Sequence, residues 1–298
     1  MTPSPRLAQT LIVLVATGFG VSTLQGQGRE LAFDRPEAWG MKYGTSLALF
    51  TGFGAPREVE KGSIELGLEM AHVPHLSDAQ RRIGFDGIKL EDMNKTAVFA
   101  RFRARLGIGS GWGASVGIVP PVEVGGAKPL MVSASVGGPV VDGERLRVGV
   151  RGFGHIGRIE GDITCDAETV AAGVDPIRNA FNCAEVSEDE LKQRVGGLEI
   201  SGALPLGTVE PYVAVGINYL DTSFQVHAFY SGSTSDELLE TSGVTLSGSL
   251  GVAVEAAESL RLTAEAFYTP LSVVRPPETG ANNDGLFHLR GMISYKVR

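Results

Sequence analysis

The segment 96–121, TAVFARFRARLGIGSGWGASVGIVPP, constrains the possible folds of this chain more than any other stretch. Apolar residues occupy every second position from Val98 to Ile108, and three arginines lie between them. Alternation with a period of two is typical of a β-strand, because successive side chains point to opposite faces. A glycine-rich reversal at 109–111 precedes a second alternating run. The segment therefore predicts a hairpin with one apolar and one polar face.

The same alternation recurs along most of the chain. Further runs with this period are 63–73, 128–137, 146–156, 195–204, 211–219, 244–254, 260–266 and 286–297. The segment 41–53 is less regular, and it fits either a strand or a short helix that begins after Pro36. Tight reversals near Gly109, Gly143 and Gly207 alternate with longer polar connections. The predicted long loops are 74–95, 165–190, 221–239 and 273–284.

The composition limits the classes of function. A formal net charge of −8 and an isoelectric point near 5.2 argue against a nucleic-acid partner, because no basic surface dominates. Forty glycines suit the tight turns and crowded faces of sheets better than a helical enzyme. No motif in the sequence indicates a cofactor.

The first 27 residues have the layout of a secretory signal peptide. Arg6 precedes an apolar run at 11–21, and small and polar residues follow it. An N-terminal membrane anchor is the alternative, although the apolar run is short for a spanning helix. Residues 28–40 follow as an irregular segment. Downstream there is no long apolar stretch, so a membrane is crossed by strands if it is crossed at all.

The two cysteines favour export. Cys165 and Cys183 enclose a polar segment that contains proline and glycine. In an exported chain an even pair predicts a disulfide that closes a surface loop. Metal binding is the weaker interpretation, because a closed zinc site needs four ligands.

The alternation of tight turns and long loops is typical of one architecture. Transmembrane barrels have short turns on the periplasmic side and longer loops outside. We therefore predict an all-β fold, a single antiparallel up-and-down transmembrane β-barrel over residues 41–298. An even strand number is usual, and about 12 strands are expected, with 10 or 14 as alternatives. A soluble lipocalin-like barrel also alternates, and it would stay in the periplasmic fraction without detergent.

These features together resemble Gram-negative outer-membrane β-barrel proteins, either porin-like or small. The resemblance is carried by the predicted signal peptide, the alternating strands, the alternation of tight turns with long loops, and an apolar last strand with Tyr295 and Val297. It implies export to the bacterial outer membrane, contact with its lipid and assembly by the general barrel-insertion machinery.

Charged residues on the polar faces are the main candidate functional residues. A lipid-facing arginine or lysine near the bilayer centre costs about 2–4 kcal/mol, so these side chains should point into the lumen. They form either a salt-bridge network that fills a narrow barrel or a charged wall that selects solutes. The predicted lumenal set is Arg101, Arg103, Arg105, Arg147, Arg151, Glu65, Glu69, Glu199 and Glu265.

Two weaker sites remain as hypotheses. His155, His227 and His288 have polar-face phase near outer strand ends, where they could bind a metal or sense pH, although their spacing is not that of a ligand set. Ser133 and Ser135 lie on a strand next to His155, which permits a hydrolase site without indicating one. We therefore expect no enzyme activity.

The sequence leaves three functions open. The leading hypothesis is an outer-membrane pore or channel for small solutes. The first alternative is a non-conducting barrel that presents its outer loops, including the loop closed by the cysteines, to a contact partner. The second alternative is an outer-membrane enzyme.

Overall fold

The computed structural model describes residues 28–297, and the predicted signal peptide lies outside them. Its elements, in chain order, are β1 (Arg29–Glu30), α1 (Pro36–Leu47), β2 (Ile64–His72), α2 (Asp78–Arg81), β3 (Arg82–Ile83), α3 (Gly84–Gly87), β4 (Lys89–Leu90), β5 (Val98–Gly109), β6 (Trp112–Val119), β7 (Ala127–Asp142), β8 (Arg147–Gly161), α4 (Ala167–Ala171), β9 (Cys183–Glu185), β10 (Asp189–Ala203), β11 (Val209–Tyr230), β12 (Ser233–Ala257), β13 (Leu260–Thr269), β14 (Ser272–Val273), β15 (Asn282–Asn283) and β16 (Leu286–Lys296).

Ten of these strands close into an up-and-down antiparallel barrel. Each pairs with its neighbour along the chain, and β16 pairs with β2 to complete the ring. The short strands β1 and β9 extend the outer parts of β12 and β11, which gives a sheet of twelve strands. The predicted all-β barrel is confirmed, and the strand number lies within the predicted range.

The outer face of the barrel is apolar and the inner face is polar. On β5, Phe102 is 56% exposed whereas Arg101 is completely buried. This difference follows from the alternation, because neighbouring side chains point to opposite sides of the wall. Apolar side chains exposed on the outside of other strands include Val116, Val132, Ile156, Leu198, Val215, Leu246 and Leu289. This outer surface suits a lipid environment.

The connections sort by length at the two ends of the barrel. The turns after β5, β7, β10 and β12 are short, and we name their end the inner end, as in outer-membrane barrels. Most connections at the outer end are longer. The predicted loop 221–239 is wrong, because these residues continue β11 and β12 as far as a turn at Ser231 and Gly232. Continuous pairing extends to Tyr230 and Ser233, so unbroken ladder hydrogen bonds hold the hairpin together.

The N-terminal segment, residues 36–57, lies inside the barrel rather than in its wall. The predicted barrel segment from residue 41 is wrong at its start, because α1 occupies 36–47 and the wall begins at β2. Pro36 is at the first turn, where its fixed φ favours a helix. Trp39, Met41 and Tyr43 are all buried, so the helix has contacts on every side. Contacts on all sides explain why the sequence carries no clear amphipathic signal there.

The outer loops carry the predicted disulfide. Cys165 and Cys183 are bonded, with their Cα atoms 5.7 Å apart, and α4 lies in the loop that they close. Asp166 is the N-cap residue of α4, and its carboxylate accepts hydrogen bonds from the backbone amides of Glu168 and Thr169, both at 2.9 Å. None of the helices between residues 28 and 297 is long and apolar enough to span a bilayer.

Candidate functional site: a filled inner lumen and an outer apolar cavity

Ion pairs between neighbouring strands line the middle of the lumen. Glu69 accepts from Arg103 at 2.6 Å and lies 3.5 Å from Arg101. On the other side of β2, Arg290 of β16 pairs with Glu265 of β13, and both side chains are fully buried. Buried charges are tolerated only when they are paired and hydrogen bonded, so each of these residues depends on its partners.

The same charged residues bind the N-terminal segment. Arg101 donates to the carbonyl oxygen of Ala48 at 2.6 Å, and Arg103 donates to that of Thr51 at 3.0 Å. Arg290 donates to the Thr51 hydroxyl at 2.6 Å. The arginines therefore satisfy main-chain groups at 48–51, where the N-terminal segment has no regular secondary structure. These contacts hold the segment in the lumen.

Gly52 marks the tightest approach between the segment and the wall. Its amide donates to both carboxylate oxygens of Glu199 at 3.1 Å, and Glu199 also lies 3.2 Å from Arg151. A Cβ atom at position 52 would lie 1.5 Å from the Arg151 guanidinium. Only glycine fits here without displacing the ion pair.

Aromatic rings fill the space around these arginines. The Arg103 guanidinium lies 4.1 Å from the centre of the Phe50 ring and 5.1 Å from that of Phe53. The Arg290 guanidinium lies 3.9 Å from the ring centre of Phe267. Cations over aromatic faces are attracted to the ring quadrupole, so the rings stabilise the charges while excluding water.

A second set of ion pairs lies at the inner end of the lumen. Arg57 of the N-terminal segment contacts Glu255 at 2.5 Å, and Arg261 joins Glu255 to Glu210 with distances of 2.7 Å. Arg147 also pairs with Glu210. The segment 48–57 is thus bound from the middle of the lumen to its inner end.

The nine charged residues predicted from the sequence all have side chains on the lumenal side. Seven of them, all but Glu65 and Arg105, take part in the ion pairs above. Glu65 and Arg105 line a small cavity of about 60 Å³, and Arg105 donates to the Arg57 carbonyl oxygen at 3.4 Å. Sequence reasoning missed Arg290, although the apolar phase of Phe287 and Leu289 on the same strand places residue 290 on the inner face.

The outer half of the lumen contains a much larger cavity beside α1. Its volume is about 810 Å³, which is in the range of small-molecule sites. Most of its lining is apolar, and it includes Met41, Leu47, Phe99, Val119, Met131, Ile159, Leu191, Phe224, Val226 and Leu239. Sequence reasoning missed this cavity, because its walls come from α1, several strands and outer loops.

Ion pairs cross the outer rim of this cavity. Arg29 lies 3.2 Å from Glu237 and 3.6 Å from Glu37, and Arg35 contacts Asp86 at 2.6 Å. The backbone amide of Asp86 also donates to Glu37 at 2.7 Å. The rim is therefore polar, whereas the space beneath it is apolar.

One buried acid lies at the edge of the cavity. Glu91 pairs with Lys89, which also donates to the Thr164 carbonyl oxygen. Burial raises the pKa of Glu91 to about 7, while the Lys89 charge acts in the opposite direction. Sequence patterns gave no sign of this pair, because it is assembled by short loop elements.

The structure does not assemble the histidine site. His155 and His288 are buried on β8 and β16, and His227 is partly exposed on β11, so the three lie on strands that do not pair with one another. His155 lies 3.4 Å from the Gln193 side-chain oxygen. Within residues 28–297, no group of His, Cys, Asp or Glu side chains is arranged to hold a metal ion.

The serines next to His155 do not form a nucleophile site. Ser133 pairs directly across the sheet with His155, and Ser135 lies two residues farther along. Among the described residues, the Ser133 hydroxyl and the His155 Nδ1 atom have no hydrogen-bond partner. Both side chains are buried outside the apolar cavity, so the geometry provides neither an activated serine nor a path for a substrate.

The barrel is closed and antiparallel, its exterior is apolar and its lumen is charged. These features together identify the fold. The chain has the fold of a Gram-negative outer-membrane β-barrel protein. Several solved structures of outer-membrane proteins are similar to this chain at low sequence identity. No protein-family model and no curated protein matches the sequence.

Three solved structures illustrate the likeness. The outer-membrane protease OmpT from Escherichia coli is 8% identical, with 79% of this chain and 94% of that chain covered and a TM-score of 0.42. The translocator domain of the autotransporter NalP from Neisseria meningitidis is 10% identical, with coverage of 85% and 92% and a TM-score of 0.42. Neisserial surface protein A is 13% identical, with coverage of 79% and 99% and a TM-score of 0.31.

Proposed function

We propose that this outer-membrane barrel binds small apolar molecules in the outer half of its lumen, above an inner half that its N-terminal segment closes. The observation that carries the proposal is the cavity of about 810 Å³ with an apolar lining. Export by the predicted signal peptide and assembly by the general barrel-insertion machinery belong to the same proposal.

The chemistry of the lining favours an apolar ligand. Removing apolar surface from water contributes roughly 25 cal/mol per Å², and apolar cavities hold water poorly. Met131, Phe224 and Leu239 provide such surface on three different strands. Charged residues lie at the rim and at one edge, where they could limit the polarity and size of molecules that fit.

The filled inner lumen argues against a permanently open pore. Arg101, Arg103 and Arg290 are bound to carboxylates and to the segment 48–51 rather than to an aqueous channel. A charged wall that selects solutes needs free charges along a path. In the described chain Arg101 and Arg103 share Glu69, and Arg290 pairs with Glu265, so none of the three lines a free path.

Photolabelling tests the proposed binding. A phenyl trifluoromethyl diazirine, added to vesicles that contain the refolded protein, should label Met41 and Met131 in a saturable manner. Val226→Trp places a large ring in the cavity, and we expect this labelling to fall by about fivefold or more. Val213→Trp is the matched control, because Val213 lies on the same strand but faces outward.

The outcome distinguishes binding of the probe in the cavity from its partitioning into the lipid. Labelling that rises linearly with probe concentration, or that is equally strong in Val226→Trp and Val213→Trp, would contradict the proposal. A difference in gel mobility between unheated and heated samples, as for the wild type, shows that each variant has folded.

Gated passage of small solutes is a second candidate. The segment 48–57 is held in the lumen by hydrogen bonds and ion pairs, and it is not a strand of the barrel wall. A change that releases these polar contacts would open the inner half. Stepwise current after such a change, measured in a planar bilayer, would support this candidate.

A further inference from the structure

The barrel wall is interrupted near its outer end. Pairing between β5 and β6 reaches only as far as Phe102 and Ile118, and pairing between β6 and β7 ends at Val119 and Met131. Beyond these points residues 98–101 pair only with β2, and residues 128–130 pair only with β8. Ala127 pairs with β8 and forms an isolated bridge with Val124 in the connection itself. One strand's width of wall is therefore absent between these two segments, which we name the wall gap.

The sequence explains why β6 stops. Pro120 and Pro121 follow Val119 directly, and neither has an amide hydrogen for the ladder. The Val122 amide donates to the Pro120 carbonyl oxygen at 2.8 Å, which turns the chain away from the sheet. The segment 120–126 thus connects β6 to β7 without filling the wall gap with a strand.

The wall gap is framed on its outer side. At Gly125, which has a φ of 58°, an added Cβ atom would lie 1.8 Å from the Lys95 carbonyl oxygen. Lys95 in turn donates to the Asp162 carboxylate at 2.7 Å. These contacts hold the connection above the gap, so the interruption is a bounded opening rather than a frayed edge.

The outer cavity reaches through the wall gap. On β7 the cavity is lined by the inward-facing residues Pro129 and Met131. On β5 it is lined by the inward-facing Phe99 and also by the outward-facing Ala100 and Phe102. Residues of both phases on one strand can line a single cavity only if that cavity passes around the edge of the strand.

We propose that the wall gap is a side opening through which small apolar molecules pass between the cavity and the surrounding membrane. This inference rests on the proposed binding of apolar molecules. The outer rim is crossed by the ion pairs of Arg29 and Arg35, whereas the outward-facing residues on the β5 side of the gap, Ala100 and Phe102, are apolar. On the β7 side Leu130 is apolar, and the outward-facing Lys128 lies toward the outer end, 3.9 Å from Glu160. An apolar molecule avoids desolvating charges when it takes the side route.

Lipid photolabelling tests the opening itself without any variant. Phosphatidylcholine with a diazirine in its acyl chain, irradiated in vesicles with the wild-type protein, should label the lipid-facing Phe102 and Ile118. We expect additional adducts on Phe99, which faces the lumen at the gap. Phe153 is the matched control, because it also faces the lumen but lies on a fully paired part of the wall. Equal absence of adducts from Phe99 and Phe153 would overturn the proposal.

Ligand exchange tests the route. Ala100→Trp places a bulky side chain at the gap, and it should slow loading and release of the phenyl diazirine by about fivefold or more. Ala104→Trp, which faces outward below the gap, should leave both rates within about twofold of the wild type. Saturable binding with unchanged rates in Ala100→Trp would overturn the side route and leave the proposed function intact. Absence of saturable binding to the wild type would overturn both.

Discussion

The inner and outer halves of the lumen differ in how they are filled. In the inner half, Glu69 and Glu265 are paired with arginines that also bind the N-terminal segment, and Glu199, which is paired with Arg151, accepts from the Gly52 amide. In the outer half, α1 is buried, but a large apolar cavity remains beside it. The N-terminal segment therefore closes the inner half of the lumen and leaves space in the outer half.

The contrast follows from the cost of leaving each kind of group without a partner. An unpaired buried charge is expensive, so the charged half has to be filled with matching groups. An apolar surface can border an empty space at a smaller cost per group. We therefore assign closure to the polar inner half and the proposed ligand binding to the apolar outer half.

Breaking the buried pair at Arg290 should have the largest effect. Arg290→Ala leaves Glu265 buried without its partner and removes the contact with Thr51, so we expect a loss of about 3–5 kcal/mol in the free energy of unfolding. Urea unfolding in vesicles measures this loss. Arg194→Ala is the control, because Arg194 is exposed and 4.0 Å from Asp221, and its effect should stay below about 0.5 kcal/mol. Equal effects would contradict the assigned role of the inner network.

A methyl group at the tightest contact should weaken closure. Gly52→Ala forces the Arg151 side chain away from Glu199, with an expected loss of about 1–3 kcal/mol. Occasional current steps should accompany the loss in planar bilayers. Gly196→Ala is the matched control, since a Cβ atom there meets nothing within 4 Å. If both variants behave like the wild type, Gly52 is not a closure point.

Adding volume to the outer half should be tolerated. Val226→Phe points into the cavity, so we expect its free energy of unfolding to change by less than about 1 kcal/mol, in contrast to the smaller addition at Gly52. Urea unfolding of the two variants under identical conditions gives the comparison. A loss above about 2 kcal/mol for Val226→Phe would show that the outer half is as tightly filled as the inner half.

The stability of the outer loops should depend on pH. This effect should be smaller than those of the substitutions above and should be confined to the surroundings of Glu91. Because the pKa of Glu91 is raised to about 7, its contribution to stability is fully present below its unfolded value of 4.5 and is lost as the pH rises through about 7. The amides of Glu91 and Asp92, which donate to Arg81 and Ile163, should open at least about threefold more at pH 8 than at pH 5. Hydrogen exchange, corrected for intrinsic rates, measures this.

Glu91→Gln is the control for that measurement, because a neutral side chain at this position does not titrate. The variant should show the same protection at both pH values. A pH dependence that persists in Glu91→Gln would assign the effect to another group.

The barrel could be predicted from the sequence because period-two alternation is a local property. Arg101 and Phe102 lie on opposite faces whatever the rest of the chain does. The disulfide was predictable for a similar reason, since two cysteines in an exported chain have one intramolecular pairing. Strand ends are harder to predict. The sequence predicts a loop at 221–239 because the polar residues there obscure a hairpin that continues beyond the neighbouring strands.

The filling of the lumen could not be predicted in the same way. Residues 36–47 are buried on all sides, so they lack the one-sided pattern that marks a surface helix. The cavity depends on where β6 ends relative to β5 and β7, and Pro120 and Pro121 give the only local sign of that end. The pairing of Glu69 with Arg101 and Arg103 required the strand register, which the sequence alone does not fix.

Conductance of the wild-type barrel in a planar bilayer tests the central claim most directly. The refolded protein, with its insertion verified by protease protection, should give no steady ion current, because the N-terminal segment and its ion pairs fill the inner lumen. A steady current from correctly folded wild-type barrels would contradict the account.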